Sequence, residues 1–118
     1  MLSLFMACAF VESGLNPNAV GDNGKSVGIV QIQKTVVDDV NDFLRKKGSL
    51  TCYTYEDRKS VAKSYKIFKL YLERWADGKS LEVKARIWNG GPKGYLKKAT
   101  KPYWKRVERI LLREELAG

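Results

Sequence analysis

Apolar residues from Leu2 to Val11 fall on nearly every side of a helix, and this pattern predicts a buried helix over 2–13. Gly14 follows where a left-handed residue would end it. Asn16-Pro17-Asn18 is a break, and Gly21-Asp22-Asn23-Gly24 is turn chemistry. Its flanks, 19–20 and 26–32, are expected to pair as a small ribbon. From Thr35, the residues Val36, Val37, Val40, Phe43 and Leu44 recur at helical spacing until Gly48. After a loop over 48–55, Val61, Tyr65, Phe68, Leu72 and Trp75 predict a helix over 57–75. Asp77-Gly78 breaks it, and Ser80 is the expected N-cap of a helix running to Trp88. Asn89-Gly90-Gly91-Pro92 should stop that helix, and a short helical piece is expected over 94–99. Pro102 suits the first turn of a last helix with Tyr103, Val107, Ile110 and Leu111 on one face. The expectation is a mainly α domain over 1–118 with a turn-rich or β-hairpin insert after the first helix.

Composition narrows the chemistry. The 118 residues suffice for one domain with a core, and 44% are hydrophobic. No stretch is long and apolar enough to span a membrane. The segment from Leu2 to Val11 lacks a preceding basic residue and runs into Glu12, so it reads as a buried helix rather than an export signal. With 22 Lys and Arg against 13 Asp and Glu, the formal charge is +9. Such a balance implies an anionic partner: nucleic acid, anionic lipid or an acidic wall polymer. There is no histidine, which excludes Ser-His-Asp triads, Cys-His pairs and His-ligated zinc. Cys8 and Cys52 lack metal-ligand spacing, and a disulfide between them is open. Acid–base chemistry must come from carboxylates, tyrosines, lysines or backbone, with no metal or organic cofactor expected.

Glu12 is where the sequence departs from packing logic. It ends a run of mostly apolar residues, where an ionised carboxyl is costly. Burial raises a carboxyl pKa and keeps the group protonated for general-acid work. The alternative is that Glu12 sits at the helix end and reaches solvent.

The surrounding residues carry a resemblance. Glu12-Ser13-Gly14-Leu15-Asn16-Pro17-Asn18-Ala19 followed by Gly28-Ile29-Val30-Gln31 resembles the Glu-Ser-x-x-Asn-Pro-x-Ala … Gly-Leu-Met-Gln signature of lytic transglycosylases related to goose-type lysozyme. Ala85-Arg86-Ile87-Trp88-Asn89-Gly90-Gly91-Pro92 is similar to that family's Ala-x-x-Tyr-Asn-Ala-Gly-Pro. Tyr103-Trp104-Lys105-Arg106-Val107 resembles the Tyr-Val-x-x-Val that opens its last helix. The three blocks occur in the family's order and span most of the chain. The run Gln33-Lys34-Thr35-Val36-Val37-Asp38-Asp39-Val40 and Asp57-Arg58 look like a subgroup met in phage and bacterial wall-lytic proteins.

The resemblance implies a lysozyme-like fold that cuts peptidoglycan strands between N-acetylmuramic acid and N-acetylglucosamine. Glu12 would be the catalytic acid and then the base. Ser13, Gln31 and Asn89 would bond the glutamate or the sugar, and Tyr103 would orient Glu12. Trp88 and Val30 stand where the family has Tyr and Met, keeping an apolar wall but losing the Tyr hydroxyl. Each has a plainer alternative: Ser13 as a cap, Gln31 as a solvated strand residue, Trp88 and Tyr103 as core.

Hydrolysis ordinarily needs a second carboxylate, whereas lytic transglycosylases close the sugar's own hydroxyl onto its anomeric carbon. Asp22 resembles the position of one lysozyme aspartate, although Asp also suits the turn it occupies. The next such position holds Gln33, which cannot act as a base, so the balance favours transglycosylation. Asp38, Asp39 and Asp42 read as a solvated helix face. Partners implied are glycan strands and, by charge, anionic wall polymers, with the chain acting as a monomer at the bacterial wall. Two rival readings are a non-catalytic wall-binding module and a nucleic-acid-binding domain. The latter would use the basic and aromatic residues between Lys93 and Arg113, but no nucleic-acid motif accompanies them.

Overall fold

The computed structural model describes the backbone of residues 1–117 and the side chains of residues 1–114. Five helices dominate: α1 (Leu2–Ser13), α2 (Lys34–Lys46), α3 (Val61–Ala76), α4 (Leu81–Gly90) and α5 (Lys101–Ala117). Between α1 and α2 lies a three-stranded antiparallel sheet of β1 (Val20–Gly21), β2 (Ser26–Val27) and β3 (Ile32–Gln33), ordered β1-β2-β3. Val20 pairs with Val27, and Val27 with Ile32. The predicted ribbon is therefore present, but the second flank is two strands: the chain turns back through Gly28 and Gln31, both at positive φ. None of the helices is long and apolar enough to cross a membrane among the described residues.

α1 ends as its sequence predicts. Gly14 adopts φ 64° and its N–H donates to the carbonyls of Ala9 and Phe10. Leu4, Phe5, Ala7, Cys8 and Ala9 are buried, but one flank is not: Leu2 is 57% and Phe10 48% exposed. The expectation of burial on all sides is corrected there, because α3, α4 and α5 cover the opposite flank. Cys8 is buried and Cys52 exposed, and both are free thiols.

Two other boundaries move. The helix expected over 57–75 begins at Val61, where the Ser60 hydroxyl accepts from the Lys63 N–H. The preceding Tyr55–Lys59 is a 3-10 turn with a reciprocal cap between Thr54 and Asp57. α4 continues through Asn89 and Gly90, beyond the stop expected there, and Gly91 at φ 90° ends it. The piece expected over 94–99 is two 3-10 turns, Gly94–Leu96 and Lys98–Thr100.

Phe5 meets Tyr65 at a tilt at 5.1 Å and Phe68 edge-on at 5.3 Å, and Phe68 meets Trp88 edge-on at 4.7 Å. Trp88 in turn meets Tyr71 at 5.6 Å. This aromatic chain couples α1, α3 and α4, and it brings the rigid core up to the site described next.

The sheet is fastened to the helices by a buried arginine. Arg58 Nε donates to the Tyr55 carbonyl at 2.8 Å, and Nη1 donates to the carbonyls of Ile32 at 3.1 Å and Lys25 at 3.5 Å. The Arg58 carbonyl accepts from Ser64 Oγ at 3.0 Å. Hydrogen bonds from a charged donor contribute about 1.5–3 kcal/mol each, so this side chain is a principal tie between the sheet and α3.

Candidate active site

Glu12 occupies the last turn of α1, and the Gly14 cap turns the chain away immediately after it. Its side chain lines a groove of about 580 Å³, together with Asp22, Gln31, Tyr71, Trp88 and Asn89. The groove lies between the end of α1, the small sheet and the Trp88–Gly91 segment of α4.

The Tyr103 hydroxyl, buried on α5, donates to Glu12 Oε2 at 3.3 Å. Burial pushes the Glu12 pKa from an ordinary 4.5 to about 7. The Tyr103 hydroxyl and the indole of Trp88 oppose that rise by favouring the ionised form. The charge of Asp22 adds to the rise, and that of Arg106 opposes it. Glu12 is thus a carboxyl that holds its proton near neutrality while keeping partners for the anion. Tyr103 itself is pushed upward by burial and by its acidic neighbours, Cys8 and Glu12, so it stays a hydroxyl donor. Burial likewise raises the Cys8 thiol to about 12, leaving it protonated and inert.

The other residues singled out by sequence separate into groove and support. Gln31, at φ 56°, lines the groove, and its Nε2 donates to the carbonyls of Ala19 at 3.1 Å and Gly28 at 3.0 Å. Asn89 is exposed and lines the same groove. Trp88 is half-buried against Phe68 and Tyr71, and its indole favours the ionised form of Glu12. Ser13 does not line the groove. Its hydroxyl donates to the Ile29 carbonyl at 2.6 Å and accepts from the Asn16 N–H, tying α1 to the strand segment. Val30 is fully buried in the core and forms no wall of the groove. An apolar side chain beside Gln31 is drawn inward, so its role is to anchor that turn.

Asp22 is brought to the groove, exposed and at φ 51°, with Oδ2 accepting from Ser26 Oγ at 2.5 Å. Gln33 also lines the groove. Asp39 and Asp42 are engaged by Arg74, and Asp38 accepts from the Tyr55 hydroxyl, all away from the groove. Among the described residues no group of three or more Cys, Asp or Glu side chains could hold a metal ion.

Sequence reasoning missed Tyr71, Ser26 and Lys97. Tyr71 falls at a core spacing of α3, yet it lines the groove, and burial raises its phenol to about 12. Lys97 brings a cation into the groove lining, with Nζ donating to the Gly90 carbonyl at 2.7 Å. Its segment is held by the buried Arg86, which donates to Thr100 Oγ1 at 2.8 Å and to the Lys97 carbonyl at 3.1 Å. Arg86 is the second residue of a motif quoted above, but nothing in the motif says where its guanidinium points.

Tyr103→Phe removes a donor that favours the Glu12 anion. The alkaline limb of the pH–activity profile should move up, with turnover falling about 10-fold. A pH–rate series on the variant checks both; an unmoved limb at full rate would show that Tyr103 is only core.

A helical bundle with a small sheet beside a groove that holds one buried, proton-retaining glutamate defines a lysozyme-like glycosidase domain. Comparison with known proteins agrees. A family model described as the transglycosylase SLT domain matches residues 1–107. In the crystal structure of Aeromonas hydrophila PliI in complex with Meretrix lusoria lysozyme, the matching chain is 26% identical with a TM-score of 0.75. The match covers 93% of this chain and 89% of that one. Tapes japonica lysozyme shares the fold at 24% identity and a TM-score of 0.76, with the same coverage. The search of curated proteins returned no match. The chain belongs to the transglycosylase SLT domain family and is an enzyme that cleaves glycosidic bonds of peptidoglycan.

Proposed function

We propose that this enzyme cuts the bond between N-acetylmuramic acid and N-acetylglucosamine by lytic transglycosylation, with Glu12 as its single acid–base residue. The observation that carries the reading is the Glu12 carboxyl itself, raised to about 7 by burial in the groove and held by Tyr103. In the first step Glu12 gives its proton to the glycosidic oxygen as the bond to the anomeric carbon breaks. Glu12, now ionised, takes the proton from the same sugar's C6 hydroxyl as that oxygen bonds the anomeric carbon. The product is a 1,6-anhydro end, and no water is consumed. Tyr103 and the Trp88 indole stabilise the carboxylate between the two steps. Asn89, Gln31, Tyr71 and Lys97 supply polar contacts to the sugar's N-acetyl and hydroxyl groups, while Ser13 and Val30 hold the turn that carries Gln31.

A second reading is hydrolysis, with Asp22 positioning a water. One observation favours it: Asp22 shares the groove with Glu12, and Ser26 holds one of its oxygens. Against it, Asp22 is exposed and sits in a turn that selects Asp for local reasons. Asp22→Asn separates the two. Under transglycosylation, turnover should stay within about 3-fold of the parent; under hydrolysis it should fall about 100-fold or more. The substrate places the reaction at the bacterial wall, outside the cytoplasm.

A further inference from the structure

The cations of this chain are unevenly neutralised. Several of those in and beside α2, α3 and α4 face carboxylates: Arg45 with Asp42, Lys47 with Glu73, Arg74 with Asp39, and Arg86 with Glu82. The segment from Lys93 to Arg113 differs, with eight Lys and Arg against Glu108 alone. It therefore holds +7 of the chain's +9.

On α5 the excess has a direction. At about 100° per residue, Lys101, Lys105, Arg106, Arg109 and Arg113 fall within an arc of about 140°. All five are exposed. Among the described residues only Lys105 has an ion pair, a long one of 4.0 Å to Glu108. Like charges at such spacings cost a helix a few tenths of a kcal/mol per pair, so the row is not there for the stability of α5. Apolar groups accompany it. Leu112 stands inside the same arc, 51% exposed. On its flank Phe10, 48% exposed, joins Val11, Ile110 and the three arginines around a depression of about 290 Å³.

We infer that this face of α5, with Phe10 of α1, docks the enzyme onto an anionic phospholipid surface. The arginines would engage lipid phosphates, and Phe10 and Leu112 would enter the interface between headgroups and acyl chains. Binding to a membrane surface scales with the apolar area buried in it plus the attraction of cations to anionic lipids, and this face offers both. A soluble phosphodiester polymer would satisfy the cations equally but offers Phe10 and Leu112 no apolar phase. The depression shares no lining residue with the catalytic groove, so docking leaves Glu12 open to a glycan strand.

Co-sedimentation tests this, using vesicles containing phosphatidylglycerol and vesicles of phosphatidylcholine alone, with binding to a soluble polyphosphate measured in parallel by calorimetric titration. The wild-type chain should sediment with the anionic vesicles, be released by salt, and ignore the neutral ones. Lys105→Gln/Arg109→Gln/Arg113→Gln should bind anionic vesicles about 100-fold more weakly while digesting soluble glycan at the parent rate. Leu112→Ser and Phe10→Ser should each weaken vesicle binding about 5-fold to 10-fold and leave polyphosphate binding unchanged. Equal sedimentation with anionic and neutral vesicles, or none with either, would overturn the proposal. So would apolar variants that bind anionic vesicles like the parent, since the face would then be a generic polyanion site. Sedimentation reads binding without turnover, so the proposal stands or falls apart from the reaction assigned to Glu12.

Discussion

Glu12→Gln should lower turnover of peptidoglycan by about 10³-fold or more while binding to isolated walls persists. A positioned general acid contributes about 10²–10⁴-fold, and here the same group must also accept the proton in the second step. The substitution keeps the volume and an oxygen for the Tyr103 hydroxyl, so the fold has no reason to fail. Stability should move the opposite way to activity. In the folded chain Glu12 titrates at about 7, against 4.5 when it is unburied. Between those values the folded state binds more protons than the unfolded state, so the wild type loses stability as pH rises through that window. Above it the penalty amounts to as much as about 3 kcal/mol. Glutamine carries no such penalty, so the variant should be the more stable of the two at pH 8 and close to the parent at pH 4. Thermal melts at the two pH values, set beside turbidity loss of a wall suspension, measure both effects. A variant that lyses walls at the parent rate would remove Glu12 from the chemistry.

Gly28→Ala should be the most damaging small substitution in the sheet. Gly28 lies at φ 90°, where a side chain is strained, and a Cβ there would stand 1.9 Å from the Arg58 carbonyl oxygen. That oxygen is backbone, it accepts from Ser64, and its own side chain clamps Lys25 and Ile32. Neither partner can retreat without opening the clamp. The expected cost is about 3 kcal/mol or more, or a fall of roughly 10 °C in melting temperature for a domain of this size. Because Gln31 and Asp22 ride on this sheet, activity should fall more steeply than stability. Calorimetry with parallel assays checks this; a fully stable, fully active Gly28→Ala would mean that the approach of Arg58 is not a constraint.

How much of this was legible in the sequence depended on whether the signal was local. The Gly14 cap, the Ser80 cap and the amphipathic face of α2 depend on residues within a turn or two, and all three are present. Glu12 was legible as an acid in an apolar run, and three ordered blocks around it indicated the family. What escaped notice depends on contacts made across the chain. Arg58 is one of 22 basic residues, and its spacing cannot show that it is buried against three carbonyls. Tyr71 lies beside Phe68 and Leu72 on α3, and nothing in its spacing shows that it faces the groove. Val30 was read as a wall of the site, yet the strand reverses at Gln31 and turns the valine into the core. The exposed flank of α1 was hidden because an all-apolar helix does not reveal which side its neighbours leave uncovered. α4 runs past Asn89 with Gly90 against the Thr100 side chain, a contact invisible in a dipeptide.

The account's central claim is that Glu12 passes its proton out and takes it back from the sugar itself, without a second carboxylate. Mass spectrometry of peptidoglycan digested by the wild-type chain tests this most directly. Fragments ending in 1,6-anhydro-N-acetylmuramic acid, lighter by one water than their hydrolytic counterparts, are the predicted result. Reducing N-acetylmuramic acid ends as the primary product would contradict it and assign the second step to water beside Asp22.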